Sequence, residues 1–160
     1  MELLEKQKVL DLIPGIKDLM REYPGKVKVP IDVAVEVEGK RKELSVKDLP
    51  TEHSIFDIGT ETIREYSQII KEAKSIVISG PPGVYEKEEF LKGTKGILEA
   101  VAESKAFSLV GGGHTVAAVQ ELGLSDKMSY ISTAGGALIE FLMGSKLPAV
   151  VALEEKAKEK

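Results

Sequence analysis

The sequence predicts an α/β fold, a three-layer α/β/α sandwich around a mainly parallel sheet, with a small antiparallel ribbon beside it. Three observations carry that prediction. From residue 60 onward, helical segments alternate with short apolar runs at 75–79, 106–110 and 128–132. Each run ends in a glycine-containing turn that opens a helix, the pattern of parallel βαβ units. The runs are continuously apolar, as when helices cover both faces of a sheet.

Residues 1–22 read as a helix with Leu3, Leu4, Val9, Leu10, Leu12 and Ile13 on its apolar face. Pro14 is expected to kink or split it, and Pro24-Gly25 to end it. Residues 30–37 read as a strand, Gly39-Lys40 as a turn, and 41–46 as an antiparallel return. Leu49-Pro50 opens a loop, and Ile55-Phe56-Asp57-Ile58-Gly59 is a short strand closed by glycine. Helix 60–73 precedes strand 75–79 and the turn Gly80-Pro81-Pro82-Gly83. Helices over 87–103 are expected to break at Gly93-Thr94, where glycine stops one and threonine caps the next. Strand 106–110 enters Gly111-Gly112-Gly113 and helix 114–122, and strand 128–132 enters Gly135-Gly136 and helix 136–144. An apolar run from Pro148 leads into a Lys/Glu tail. In such a sheet all three glycine turns lie at the carboxyl edge, where Rossmann-like folds place ligands.

The 160 residues suffice for one ordinary domain. No repeat, low-complexity tract or linker is visible. A net charge of −4 argues against a nucleic-acid partner held through phosphate neutralisation. With no cysteine and only His53 and His114, neither a disulfide framework nor a multi-histidine metal cage is expected. The sequence shows no signal peptide and no apolar run of membrane-spanning length, so a soluble, cytoplasmic chain is expected. Heavy Glu/Lys usage fits a thermophile source.

The turns carry the chemistry. In Ser79-Gly80-Pro81-Pro82-Gly83-Val84-Tyr85-Glu86, glycines admit a close ligand and prolines stiffen the loop. Val84 can pack on a base, and Glu86 can accept hydrogen bonds from ribose hydroxyls or simply favour the next helix start. Gly111-Gly112-Gly113-His114-Thr115 exposes amides at a positive helix end, suited to phosphate oxygens. It is not the dinucleotide fingerprint, because the sixth position is Val116 and the following strand ends in Ser132-Thr133 rather than an acid. Ser132-Thr133-Ala134-Gly135-Gly136-Ala137 is a third such turn.

In this order, with Lys92-Gly93-Thr94, Glu140-Phe141-Leu142 and Leu147-Pro148, these motifs resemble phosphoglycerate kinases, most closely archaeal ones, from about residue 30 to the C-terminus. The resemblance implies reversible phosphoryl transfer between 1,3-bisphosphoglycerate and ADP, giving 3-phosphoglycerate and ATP, with Mg²⁺ bridging nucleotide phosphates. It assigns Glu86 to the ribose, and Val84 and Phe56 to the adenine pocket. Ser79, Gly80, Pro81 and Gly83 belong to the same nucleotide turn. Gly111, Gly112, Gly113, His114 and Thr115 would meet the phosphates. Gly135 and Gly136 would present amides to the transferring group, the one catalytic role assigned. His114 stands where many members have an aspartate that approaches Mg²⁺, Ser79 where many have asparagine, and Ala134 where many have glycine.

Members of that family have two domains, with a basic phosphoglycerate pocket and a lysine-bearing glycine loop, neither visible here. The expectation is therefore a fragment, residues 1–160 forming part of a C-terminal nucleotide-binding domain, inactive alone. A stand-alone nucleotide- or phosphate-binding module is the alternative reading. A third is an interaction domain that self-associates through a truncated surface.

Overall fold

The computed structural model describes Glu5 and residues 9–158. The expected apolar positions Leu3 and Leu4 lie outside the described residues. Two compact units are present, Met1–Pro30 and Ile31–Lys160.

In the first unit a 3₁₀ turn, Leu10–Leu12, runs into helix α1 (Ile13–Glu22). Pro14 lies in the first helical turn, where a missing N–H removes no intrahelical bond. The proline therefore starts the helix instead of kinking it. Tyr23 closes the helix by donating its N–H to the Leu19 carbonyl at 2.9 Å.

The second unit contains two three-stranded sheets. In the antiparallel one, β1 (Asp32–Val37) pairs with β2 (Lys40–Ser45) around a two-residue turn, Glu38-Gly39. Both turn residues have positive φ, 50° and 76°, the geometry that matches the twist of a hairpin. The expected ribbon gains a third member, because β3 (Ile55–Ile58) pairs antiparallel with the other edge of β1. Helix α2 (Thr60–Glu72) follows, its start capped by the Asp32 carboxylate, which accepts from the Glu61 and Thr62 amides at 3.0 and 2.8 Å.

The other sheet is parallel, in the order β4 (Ser75–Ser79), β5 (Phe107–Gly111), β6 (Tyr130–Ile131). Helices α3 (Leu91–Glu103) and α4 (Gly113–Glu121) make the connections. One face of the sheet, with Ile76, Ile78, Val110 and Ile131, joins Leu98 and Val101 of α3 and Ala118 and Val119 of α4 in the core. Burying Leu98 fully contributes roughly 1.5–3 kcal/mol.

The opposite face is less covered. Paired positions in a parallel sheet share a face, so Val77, Leu109 and Tyr130 belong together with Phe107 and Gly111. Val77 is 53% exposed, and Phe107 and Tyr130 are each 57% exposed. Among the described residues, α5 (Gly136–Leu142) reaches this side at Gly111, where a Cβ would collide with Leu138. The apolar strands thus have one face well covered and the other largely open.

Two further details depart from the sequence reading. Helix α3 runs unbroken through Gly93 and Thr94, because the Gly93 amide, still in the first turn, donates to the Asp57 carboxylate at 2.7 Å. The expected strand 128–132 shortens to two residues. Before it, side chains replace ladder bonds: the Ser108 amide donates to Ser129 Oγ at 3.1 Å and the Ser129 amide to Ser108 Oγ at 2.9 Å. The terminal apolar run forms α6 (Pro148–Lys158), with proline at its first position.

Candidate nucleotide site at the carboxyl edge of the parallel sheet

Register decides where the glycine turns lie. Ser79 pairs with Gly111, and Val110 with Ile131, so all three turns leave the sheet along one edge. In each, a glycine has positive φ: Gly80 at 97°, Gly112 at 83° and Gly135 at 54°. Side chains rarely tolerate that backbone, which accounts for glycine at these three positions.

The first two turns touch. The Gly80 amide donates to Thr115 Oγ1 at 2.6 Å. A Cβ on Gly112 would lie 3.2 Å from Ser79 Oγ. Thr115 is fully buried, so its hydroxyl joins the turns instead of standing open to solvent. Gly112 caps helix α4 without a side-chain bond, and Gly113 and His114 begin it. The amides of a first helical turn have no intrahelical acceptors, and the helix end is positive. Across from them stands Glu86, whose Oε1 lies 3.7 Å from His114 Nδ1 with both side chains exposed. The structure thus brings a carboxylate from one turn to an imidazole from the next.

The third turn is held from below. The Ser132 amide donates to the Val110 carbonyl at 2.8 Å, and the Ala134 amide to Ser132 Oγ at 3.2 Å. Gly135 and Gly136 have nothing within 4 Å of an added Cβ, so their surroundings are open.

On the other side, the first turn meets the antiparallel sheet. The Val84 amide donates to the Phe56 carbonyl at 2.7 Å, which brings these two residues together. The Phe56 ring meets Phe90 edge-on at 5.2 Å, and Lys87 Nζ sits 4.2 Å from its centroid while bonding Glu36 at 2.8 Å. Pro81 is half-buried within the turn. Tyr85 is buried, and burial, with Glu86 and Glu121 nearby, pushes its phenol above the ordinary value.

Gly83 serves a different purpose. An added Cβ there would collide with the Asp57 carboxylate, and so would one on Gly93. Asp57 is fully buried and pairs with Arg41 Nη1 at 2.7 Å. Arg41 Nη2 also donates to the Ile58 carbonyl at 2.8 Å and to Glu43 at 3.1 Å. Glu43 in turn accepts from the Thr60 amide and hydroxyl at 3.0 and 2.7 Å. Partial burial opposes its charge. Bonds from Thr60 and Arg41, with Lys92 nearby, overcome this and bring its pKa down to about 2 from 4.5. Sequence reasoning gave no role to Arg41, Asp57 or Lys87. The one available signal was a lone acid inside the apolar run Ile55-Phe56-Asp57-Ile58.

The turns at this edge offer one carboxylate, one imidazole, hydroxyls and amides. No group of three or more His, Cys, Asp or Glu able to hold a metal occurs among the described residues. A divalent ion fits this donor set only when nucleotide phosphates supply most of its ligands. Among the described residues, no helix is long and apolar enough to cross a membrane.

The phosphoglycerate kinase family profile matches residues 2–145. The chain belongs to the phosphoglycerate kinase family. It is 43% identical over 157 residues to the phosphoglycerate kinase of Methanothermus fervidus, covering 98% of this chain and 38% of that one. To the enzyme of Methanococcus maripaludis it is 48% identical over 141 residues, covering 87% and 34%. Among solved structures, the phosphoglycerate kinase of Pyrococcus horikoshii superposes with a TM-score of 0.89 at 35% identity, covering 99% of this chain and 40% of that one. The Coxiella burnetii phosphoglycerate kinase gives 0.83 at 40% identity, covering 96% and 40%. The chain therefore spans about two-fifths of the length of these relatives. All three glycine turns lie within the matched residues.

Proposed function

We propose that this chain is the nucleotide side of a phosphoglycerate kinase, the part that binds ADP or ATP during phosphoryl exchange with 1,3-bisphosphoglycerate and 3-phosphoglycerate. The observation that carries the reading is the shared edge: three positive-φ glycine turns, two of them tied by Thr115 and Gly80, along the carboxyl end of the parallel sheet. Glu86 accepts from the ribose hydroxyls. Val84 and Phe56, with Gly80 and Pro81, shape the base end, Gly83 lets that turn pack on Asp57, Ser79 and Gly111 to His114 line the phosphate path, and Thr115 holds the first two turns together. The amides of Gly112, Gly113 and His114 meet phosphate oxygens at the positive end of α4. Gly135 and Gly136 present amides toward the phosphoryl group in flight, where donors aimed at developing charge are worth most. Transfer is direct and in line, so the protein's work is positioning and charge stabilisation. Mg²⁺ bound with the nucleotide would supply neutralisation of phosphate charge, with the nucleotide phosphates as its main ligands.

We further propose that residues 1–160 form part of the C-terminal nucleotide-binding domain, in the cytoplasm, and that the acceptor-side groups come from sequence outside them. Calorimetry with ADP, with and without Mg²⁺, tests the binding reading. Saturable binding is expected, at least tenfold weaker in Glu86→Ala and Gly112→Val chains that keep a native circular dichroism spectrum. Absent or unselective binding overturns it. ATP consumption dependent on 3-phosphoglycerate is expected to stay at background, and sustained turnover would show that the acceptor side lies within these residues after all.

A further inference from the structure

Among the described residues, Asp57 and Arg41 form a buried ion pair that the nucleotide contacts above leave unused. The Asp57 side chain is fully buried and that of Arg41 is 10% exposed. For stability alone such a pair gains little, because desolvation offsets most of the attraction and apolar residues of similar volume do as well. Its neighbours point to another use. Asp57 Oδ2 accepts from Arg41 Nη1 and from the Gly93 amide, both at 2.7 Å, and Oδ1 accepts from the Ile58 amide at 2.9 Å. The carboxylate is thus fixed from β2, β3 and α3 at once. The first glycine turn packs against this fixed group, since a Cβ on Gly83 would collide with Oδ1. The Gly83 amide donates at 3.3 Å to the hydroxyl of buried Thr94, which follows Gly93. One residue on, the Val84 amide donates at 2.7 Å to the carbonyl of Phe56, which precedes Asp57. Arg41 adds a second route. Its guanidinium carbon lies 6.0 Å from the Phe90 ring centroid, and Phe90 meets the Phe56 ring edge-on at 5.2 Å.

We propose that Arg41 and Asp57 are positioning residues for the base end of the nucleotide site, setting where Val84 and Phe56 stand without touching the ligand. This rests on the nucleotide reading above. Both residues of the apolar wall hang on the pair: Phe56 as the chain neighbour of Asp57, and Val84 through its bond to Phe56 and through Gly83. A wall already in place removes part of the ordering cost of binding. The phosphate end is held by other contacts, the Gly80 amide on Thr115 and the Ala134 amide on Ser132. The exposed ion pair of Lys87 with Glu36 beside Phe56 does not replace the buried one, because solvent screens it. The Arg41–Asp57 pair therefore acts on one end of the ligand, the base, and leaves the grip on phosphates alone.

Two measurements on Asp57→Asn test this, since an amide side chain offers one acceptor oxygen where the carboxylate uses two. In the ligand-free chain, hydrogen exchange is followed by NMR at the Val84 and Gly80 amides. Exchange at Val84 is expected to accelerate about fivefold more than at Gly80, which Thr115 holds. Equal acceleration at the two amides marks a general loss of stability and overturns the positioning role. ADP is then titrated into the folded native and variant chains. The variant is expected to bind about five- to tenfold more weakly, the effect of roughly one misplaced contact. Its shift changes on binding should shrink at Val84 and Phe56 and persist at Gly112 and Gly113. Native affinity, or shift changes lost equally at both ends, overturns the proposal. Gly83→Ala presses on the same carboxylate from the turn and keeps Arg41 and Asp57 in the chain. It is expected to repeat both results, and it decides the question where Asp57→Asn does not fold. Failure of the native chain to bind ADP sinks the nucleotide reading itself, while the exchange rates still report whether the pair positions the turn.

Discussion

Two regions of this chain use glycine for opposite reasons. Around Asp57, between the antiparallel sheet and α3, Gly83 and Gly93 are glycines because a carboxylate fills the space a Cβ would need. Along the carboxyl edge of the parallel sheet, Gly80 and Gly135 have open space around them and are glycines because φ is positive. The first region is closed and held by a buried ion pair. The second is open and held only at its base, by Thr115 and Ser132. Packing density therefore separates glycines that are needed for close packing from glycines that are needed for a left-handed backbone in open space, although both kinds sit in motifs that look alike.

The contrast breaks most sharply at Asp57. Asp57→Ala removes one of the two carboxylates paired with Arg41 and strands the Gly93 amide, and breaking a buried pair from one side costs about 3–5 kcal/mol. Urea denaturation is expected to show that loss, and a change under 1 kcal/mol would mean that the region is not closed as described. A gentler pair of substitutions sharpens the same point. Gly93→Ala is expected to cost about 1–3 kcal/mol by overpacking. Gly113→Ala, with nothing near its Cβ, should leave stability within about 0.5 kcal/mol while weakening ADP binding. Equal stability losses at both positions would erase the distinction.

Between the regions, Thr115→Val keeps the buried volume but removes the acceptor for the Gly80 amide. It is expected to cost about 1 kcal/mol in denaturant unfolding and to loosen the first turn. The smallest effect is at the rim of the closed region. The folded pKa of Glu43, about 2, lies below its ordinary 4.5, so its contribution is full above about 4.5 and is lost as pH falls toward 2. The native chain should melt higher than Glu43→Gln at pH 6, and the gap should shrink between pH 4.5 and 2. A gap that is constant across that window would remove the charge from the explanation.

By itself the sequence determined the alternation of strand, glycine turn and helix, and with it the edge where the turns gather. Crossover connections between parallel strands put every strand's carboxyl end on the same side, so local signals sufficed to group Gly80, Gly112 and Gly135. Element boundaries were less secure wherever a side chain took over a backbone bond, as at Gly93 and at Ser108 with Ser129. Only the tertiary structure decided that Gly83 is a packing residue, that the Thr115 hydroxyl is spent on a neighbouring turn, and that one face of the parallel sheet is left open. These outcomes rest on contacts between residues far apart in the chain, such as Arg41 with Asp57 and Asp57 with Gly93 at separations of 16 and 36. Periodicity and turn chemistry report on a residue's immediate neighbours along the chain, and a lone acid in an apolar strand does not say which distant amide or guanidinium will meet it.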